Sequence, residues 1–116
     1  MRQILTSDQL RKEFEKNDFV LKTQKQIAKD FFSVGIMFPQ QFELESMKMD
    51  EIIEQIAQEL AQLQTQAFTS LQQLIYQVDL PENLFLEALS SERPELDLAY
   101  SILQREAYKV YLRTKF

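Results

Sequence analysis

Residues 50–78 read DEIIEQIAQELAQLQTQAFTSLQQLIYQV, with no glycine or proline. Within it, apolar residues recur at Ile53, Ile56, Leu60, Leu63, Ala67, Leu71, Leu74 and Val78, always in steps of three or four. That spacing lines one face of an α-helix, with a mean step between the heptad repeat and the natural helix period. Asp50 stands where an N-cap is expected, and Glu51 and Glu54 suit the positive end of the helix dipole. A continuous helix here would be about 43 Å long at 1.5 Å per residue. A compact chain of this length has a radius of gyration of only about 13 Å. Such a helix spans the molecule or projects from it, and Thr69-Ser70 is where a bend would fall.

Working outward, Asp79-Leu80-Pro81 ends the long helix and starts a short fourth one, with Asp79 as cap and Pro81 in the first turn. Leu84, Phe85, Ala88 and Leu89 give that helix its inner face. After Ser90-Ser91-Glu92-Arg93, Pro94 opens a last helix to about Thr114, with a stripe of Leu96, Ala99/Tyr100, Leu103, Ala107 and Val110/Tyr111. Toward the N-terminus, Thr6 and Gln9 form a capping-box pair for a helix reaching about Asn17. A second helix runs from Val20 or Thr23 to Val34, separated from the first or continuous with it through a kink at Asn17-Asp18. Gly35 follows as the residue able to turn left-handed at a helix end. The expected fold is all-α: an antiparallel bundle of four to five helices. It is built around one long amphipathic helix (about 50–78) and a C-terminal helix (about 94–114), with residues 1–116 as one domain.

The chain has one glycine, three prolines, no histidine and no cysteine in 116 residues. Scarce glycine and proline favour long helices over hairpins. Missing histidine and cysteine remove Ser-His-Asp triads, thiol nucleophiles, disulfides, cysteine zinc sites and histidine-based di-iron bundles. A single glycine builds no phosphate-cradling loop. Glu51, Glu54 and Glu59 read as a solvated helix face rather than a metal site. The expectation is a protein that is not an enzyme and carries no cofactor or metal. No signal-peptide pattern or membrane-length apolar run is present, so a cytoplasmic location is expected.

The net charge of −5 is unevenly spread: residues 1–30 carry +2, residues 43–97 carry −10, and residues 98–116 carry +3. An acidic chain disfavours general binding to nucleic acid. The segment 20–34 nonetheless resembles the first helix of a helix-turn-helix, with Lys22, Lys25 and Lys29 making a basic stripe. The residues after it are apolar and then acidic, unlike a recognition helix. A solvated lysine face is the plainer reading.

Two regions suggest partner contact. The aromatic connection 36–44, with Phe38 and Phe42, either packs across the bundle or meets a partner. On the last helix, Tyr100, Arg105, Tyr108 and Arg113 are of the residue types enriched at interface hot spots, although tyrosines also pack on cores with wet hydroxyls. The expected function is a non-enzymatic protein–protein interaction module. It would be an adaptor or a small subunit of a larger assembly, homodimeric through the third helix in one version. The alternative is a DNA-binding regulator using 20–34.

Overall fold

The computed structural model describes residues 4–66 and 68–115, excluding the side chains of 64–66, 68 and 115. Met1–Gln3 and Ala67, the latter part of the expected long stripe, lie outside the described residues. Among the described residues six α-helices follow in order: α1 Ser7–Glu13, α2 Asn17–Phe32, α3 Met49–Gln66, α4 Phe68–Val78, α5 Glu82–Leu89 and α6 Pro94–Lys115. A short 3-10 turn at Gln40–Glu43 sits between α2 and α3. Among the described residues there is no strand. The bundle has a radius of gyration of 13.1 Å and principal dimensions of 35 × 34 × 24 Å.

The stretch of the expected long helix holds two described helices, α3 up to Gln66 and α4 from Phe68, with Thr69-Ser70 inside α4. An unbroken rod of about 43 Å exceeds every principal dimension of the bundle. Dividing it lets both halves bury their apolar faces: Ile52, Ile56 and Leu60 from α3, Leu71, Leu74 and Val78 from α4. The face of α3 is centred on Ile52, fully buried, whereas Ile53 is only partly covered. Asp50 is not the cap. It lies in the first turn, and the Glu51 carboxylate reaches back to accept the Lys48 backbone N–H at 3.1 Å.

The centre of the bundle is α6, which packs most extensively on α2, α3 and α5 and more lightly on α1 and α4. Leu98, Ala99, Ile102, Leu103, Ala107 and Val110 are all buried in the single core cluster. The helix is therefore covered on more than the one stripe read from sequence.

The helix ends show why these residues stop where they do. At α1, Thr6 Oγ1 accepts the Gln9 backbone N–H at 3.2 Å, and Gln9 Oε1 accepts the Thr6 N–H at 3.0 Å, the expected capping box. After α2, Gly35 takes φ +86, and the backbone N–H groups of Ile36 and Gly35 bond to the carbonyls of Phe31 and Phe32. This is a Schellman ending, and it drops Ile36 onto the core beside Phe31. The same ending recurs after α4, where Leu80 bonds back to Ile75 and Asp79 to Tyr76. Here Asp79 occupies the left-handed position at φ 63, so it ends α4 instead of capping α5, whose N-cap is Pro81. Asp tolerates that conformation better than most residues, and its carboxylate meets Arg105 at 2.8 Å.

These two positions should respond oppositely to one exchange. No atom crowds a Cβ at Gly35, so Gly35→Ala should cost about 1 kcal/mol through backbone strain alone. Asp79→Gly removes such strain and loses only an ion pair whose acid is mostly exposed, so it should be neutral or mildly stabilising. Chemical denaturation of both variants checks this.

Candidate functional site

The exposed face of α2 carries Lys22, Lys25 and Lys29 in steps of three and four, one above another along the helix. The end of α6 brings Arg113 and Thr114 alongside, and between the two helices lies a groove of about 560 Å³. The buried Val110 and Gln26 also line it. Among the described residues, no ion pair engages Lys22, Lys25, Lys29 or Arg113. At its Lys22 end the groove adjoins a hollow lined by Asp18 and by Glu13 with its partner Lys16, so the positive charge without an acidic neighbour in the groove lies on Lys25, Lys29 and Arg113.

The groove walls are tied together by a buried polar cluster. Asp30 from α2 and Glu106 from α6 share one cation: Lys109 Nζ lies 2.8 Å from Asp30 Oδ2 and 2.7 Å from Glu106 Oε1. Gln26, which lines the groove, donates its amide to both Asp30 oxygens at 3.2 Å. Glu106 is fully buried. Its burial pushes the carboxyl well above the ordinary range, reinforced by the adjacent Asp30 carboxyl and its negative charge. Burial alone would raise Asp30 as well, but hydrogen bonds from Glu106 and Lys109, with the lysine's charge, bring it below its ordinary value. Burial thus favours the protonated form of Glu106, and the lysine contact favours the ionised form of Asp30. An acid paired with a base would suit proton transfer, but with Glu106 fully covered the pair acts as a clamp between α2 and α6. Among the described residues, no three His, Cys, Asp or Glu side chains converge as metal ligands.

The residues singled out from sequence are scattered. Phe42 is 2% exposed, and its ring belongs to the core. Phe38 is half-buried, stacked on Phe42 at 4.3 Å between ring centres and tilted against Phe31 at 5.0 Å. The Tyr100 hydroxyl meets Ser7 Oγ at 2.7 Å. Arg105 bonds Asp79 and lies over the Tyr108 ring, 5.9 Å from its centre, while Tyr108 packs partly on the core. Of the six, only Arg113 stands in the groove.

The connection 33–48 is held by a residue that sequence reading passed over. Buried Gln24 donates its amide to the Phe42 and Glu45 carbonyls at 2.7 and 2.9 Å, and its Oε1 accepts the Met47 N–H at 2.8 Å. The next α-helix after α2 begins only at Met49, so 20–34 lacks the short turn and second helix of a helix-turn-helix. Phe32, the next position on the lysine line, was legible from its spacing but hidden behind Phe31, which alone fits the buried stripe.

No protein-family model matches the chain, and neither a curated protein nor a solved structure matches it.

Proposed function

We propose that this protein is a non-enzymatic interaction module, an adaptor or subunit acting in the cytoplasm, that docks an acidic protein partner in the groove between α2 and α6. The observation that carries this reading is the set of cations at Lys25, Lys29 and Arg113, gathered in one groove with no ion-pair partner among the described residues of a chain of net charge −5. Positive charge gathered in a concave site steers and orients an anionic partner. A long phosphate backbone fits less well, because the stretch 43–97 with its balance of −10 repels it beyond the groove. Self-association through the third helix is less favoured, since Ile56, Leu60, Leu71, Leu74 and Val78 of its expected stripe are buried in the chain's own core.

The test is fluorescence anisotropy with a labelled polyglutamate peptide and, in parallel, random duplex DNA. The peptide should bind, weaken with added salt, and bind about tenfold more weakly to the double variant Lys25→Glu/Lys29→Glu. Binding to duplex DNA with none to the peptide would overturn the reading in favour of the nucleic-acid alternative.

A further inference from the structure

The line of Lys22, Lys25 and Lys29 continues to Phe32 at the next step of three, about 15 Å along the helix from Lys22. Phe32 is 64% exposed and Met37 75% exposed. Both line a hollow of about 280 Å³ that also takes in Ile36 and Phe38. Lys29 lines this hollow and the cationic groove alike, so the two form one continuous surface. Single exposed apolar side chains are ordinary, but two large ones sharing a hollow beside unopposed charge mark an interaction surface. Glu43 stands on the hollow's border. It discourages acids there and leaves the positive charge on the groove side, which gives the surface a direction.

We infer that this surface takes a segment of another protein in which a run of acidic side chains ends in a large apolar anchor. The carboxylates lie along Lys25, Lys29 and Arg113, and the anchor enters the hollow between Phe32 and Met37. This rests on the reading of the groove as an acidic docking site and adds what makes it selective. Charge complementarity chooses the acidic run, and the apolar hollow chooses its end. A nucleic acid carries a phosphate at every step and supplies no such anchor. A second copy could offer exposed Leu86 near Glu82 and Glu87, a contact between unlike surfaces that builds rings or open chains and so shows in sedimentation.

Two labelled peptides decide the matter: a glutamate run ending in a leucine–phenylalanine pair, and the same run ending in two serines. The anchored peptide should bind the native chain about tenfold more tightly, the worth of burying one large apolar side chain. Phe32→Ser should abolish that preference and leave the serine peptide's affinity unchanged. Its fold should be intact by circular dichroism, since Phe32 is a surface residue. Equal binding of the two peptides, or a preference surviving Phe32→Ser, overturns the anchor while leaving the acidic docking site standing. Failure of both peptides with retention of duplex DNA overturns both readings. Concentration-dependent sedimentation of the protein alone, lost in Phe32→Ser, would assign the surface to a second copy instead and overturn the proposal.

Discussion

Replacing Gln24 by leucine should destabilise the protein by about 3 kcal/mol, although leucine is the more apolar residue at a fully buried position. The Gln24 side chain satisfies three backbone groups in and just after the short 3-10 turn: the carbonyls of Phe42 and Glu45 and the N–H of Met47. Leucine fills the space but leaves all three unpaired. The Phe42 carbonyl is held in a buried contact, whereas the groups at Glu45 and Met47 can recover some water, which keeps the estimate below three full penalties. The loss should appear as a fall in melting temperature of about 12 °C. Gln24→Glu separates hydrogen bonding from volume. It keeps the acceptor for Met47 but turns a carboxylate on two carbonyls, so it should be at least as damaging at neutral pH and recover partly in acid. The segment carries Met37 and Phe38, so either variant should also weaken binding of an anchored acidic peptide. A native-like melt for Gln24→Leu would show that the connection is held by its aromatic stack alone.

The second large effect is expected at the clamp between α2 and α6. Lys109→Met should cost about 3 kcal/mol, because it leaves the buried Asp30 carboxylate without its cation. Glu106→Gln should cost less than Lys109→Met at neutral pH, since burial already disfavours a charge on Glu106 and a glutamine amide can donate toward Asp30 in its place. The two carboxyls respond oppositely to pH. For Glu106, whose carboxyl is raised in the fold above its ordinary 4.5, the stability contribution is full below that value. It is lost as pH rises from there through the raised folded value. Asp30, lowered in the fold below 3.8, contributes stability above that value and loses it as pH falls through the lowered one. Glu106→Gln should therefore gain on the native protein as pH rises above the ordinary glutamate range, then hold a constant advantage. Urea unfolding across pH reads both effects. Equal damage from Lys109→Met and Glu106→Gln at neutral pH would mean that Glu106 is ionised and its charge is required.

Much of the secondary structure was legible because it rests on local rules. Three-and-four spacing marked the helical stretches, with α3 and α4 read as one, the Thr6–Gln9 box opened α1, Gly35 closed the α2 segment, and Pro94 opened α6. What escaped were features whose partners lie far along the chain. Asp79 looks like a cap before a proline, but its role is to reverse the chain so that Leu80 reaches the core. Gln24 and Gln104 look like surface amides among many glutamines. Yet Gln104 donates to the Leu5 carbonyl at 3.0 Å, as Gln24 holds 42–47. In a chain poor in glycine and proline turns, these buried amides satisfy the irregular backbone that tight turns would otherwise handle.

The candidate surface was half legible. Lys22, Lys25 and Lys29 were visible as a stripe, but a stripe on an isolated helix is indistinguishable from a solvated face. Only the approach of Arg113 from α6 makes it a groove, and only the Schellman turn at Gly35 brings Met37 beside Phe32. The aromatic residues Phe38 and Phe42 drew attention by composition, and packing then covered most of their surface. Composition shows that a side chain needs an apolar neighbour but not whether the neighbour belongs to the same chain.

Residue types and their spacing alone determined that this protein is helical and has no histidine or cysteine chemistry, because helix formation and side-chain reactivity depend on residues close in sequence. Tertiary structure decided that the stretch 50–78 divides into α3 and α4, since a rod of that length could not bury both halves of its stripe in so small a bundle. It also decided that the Glu106 carboxyl is raised and that the lysines of α2 face a groove, because burial and field at those side chains come from another helix.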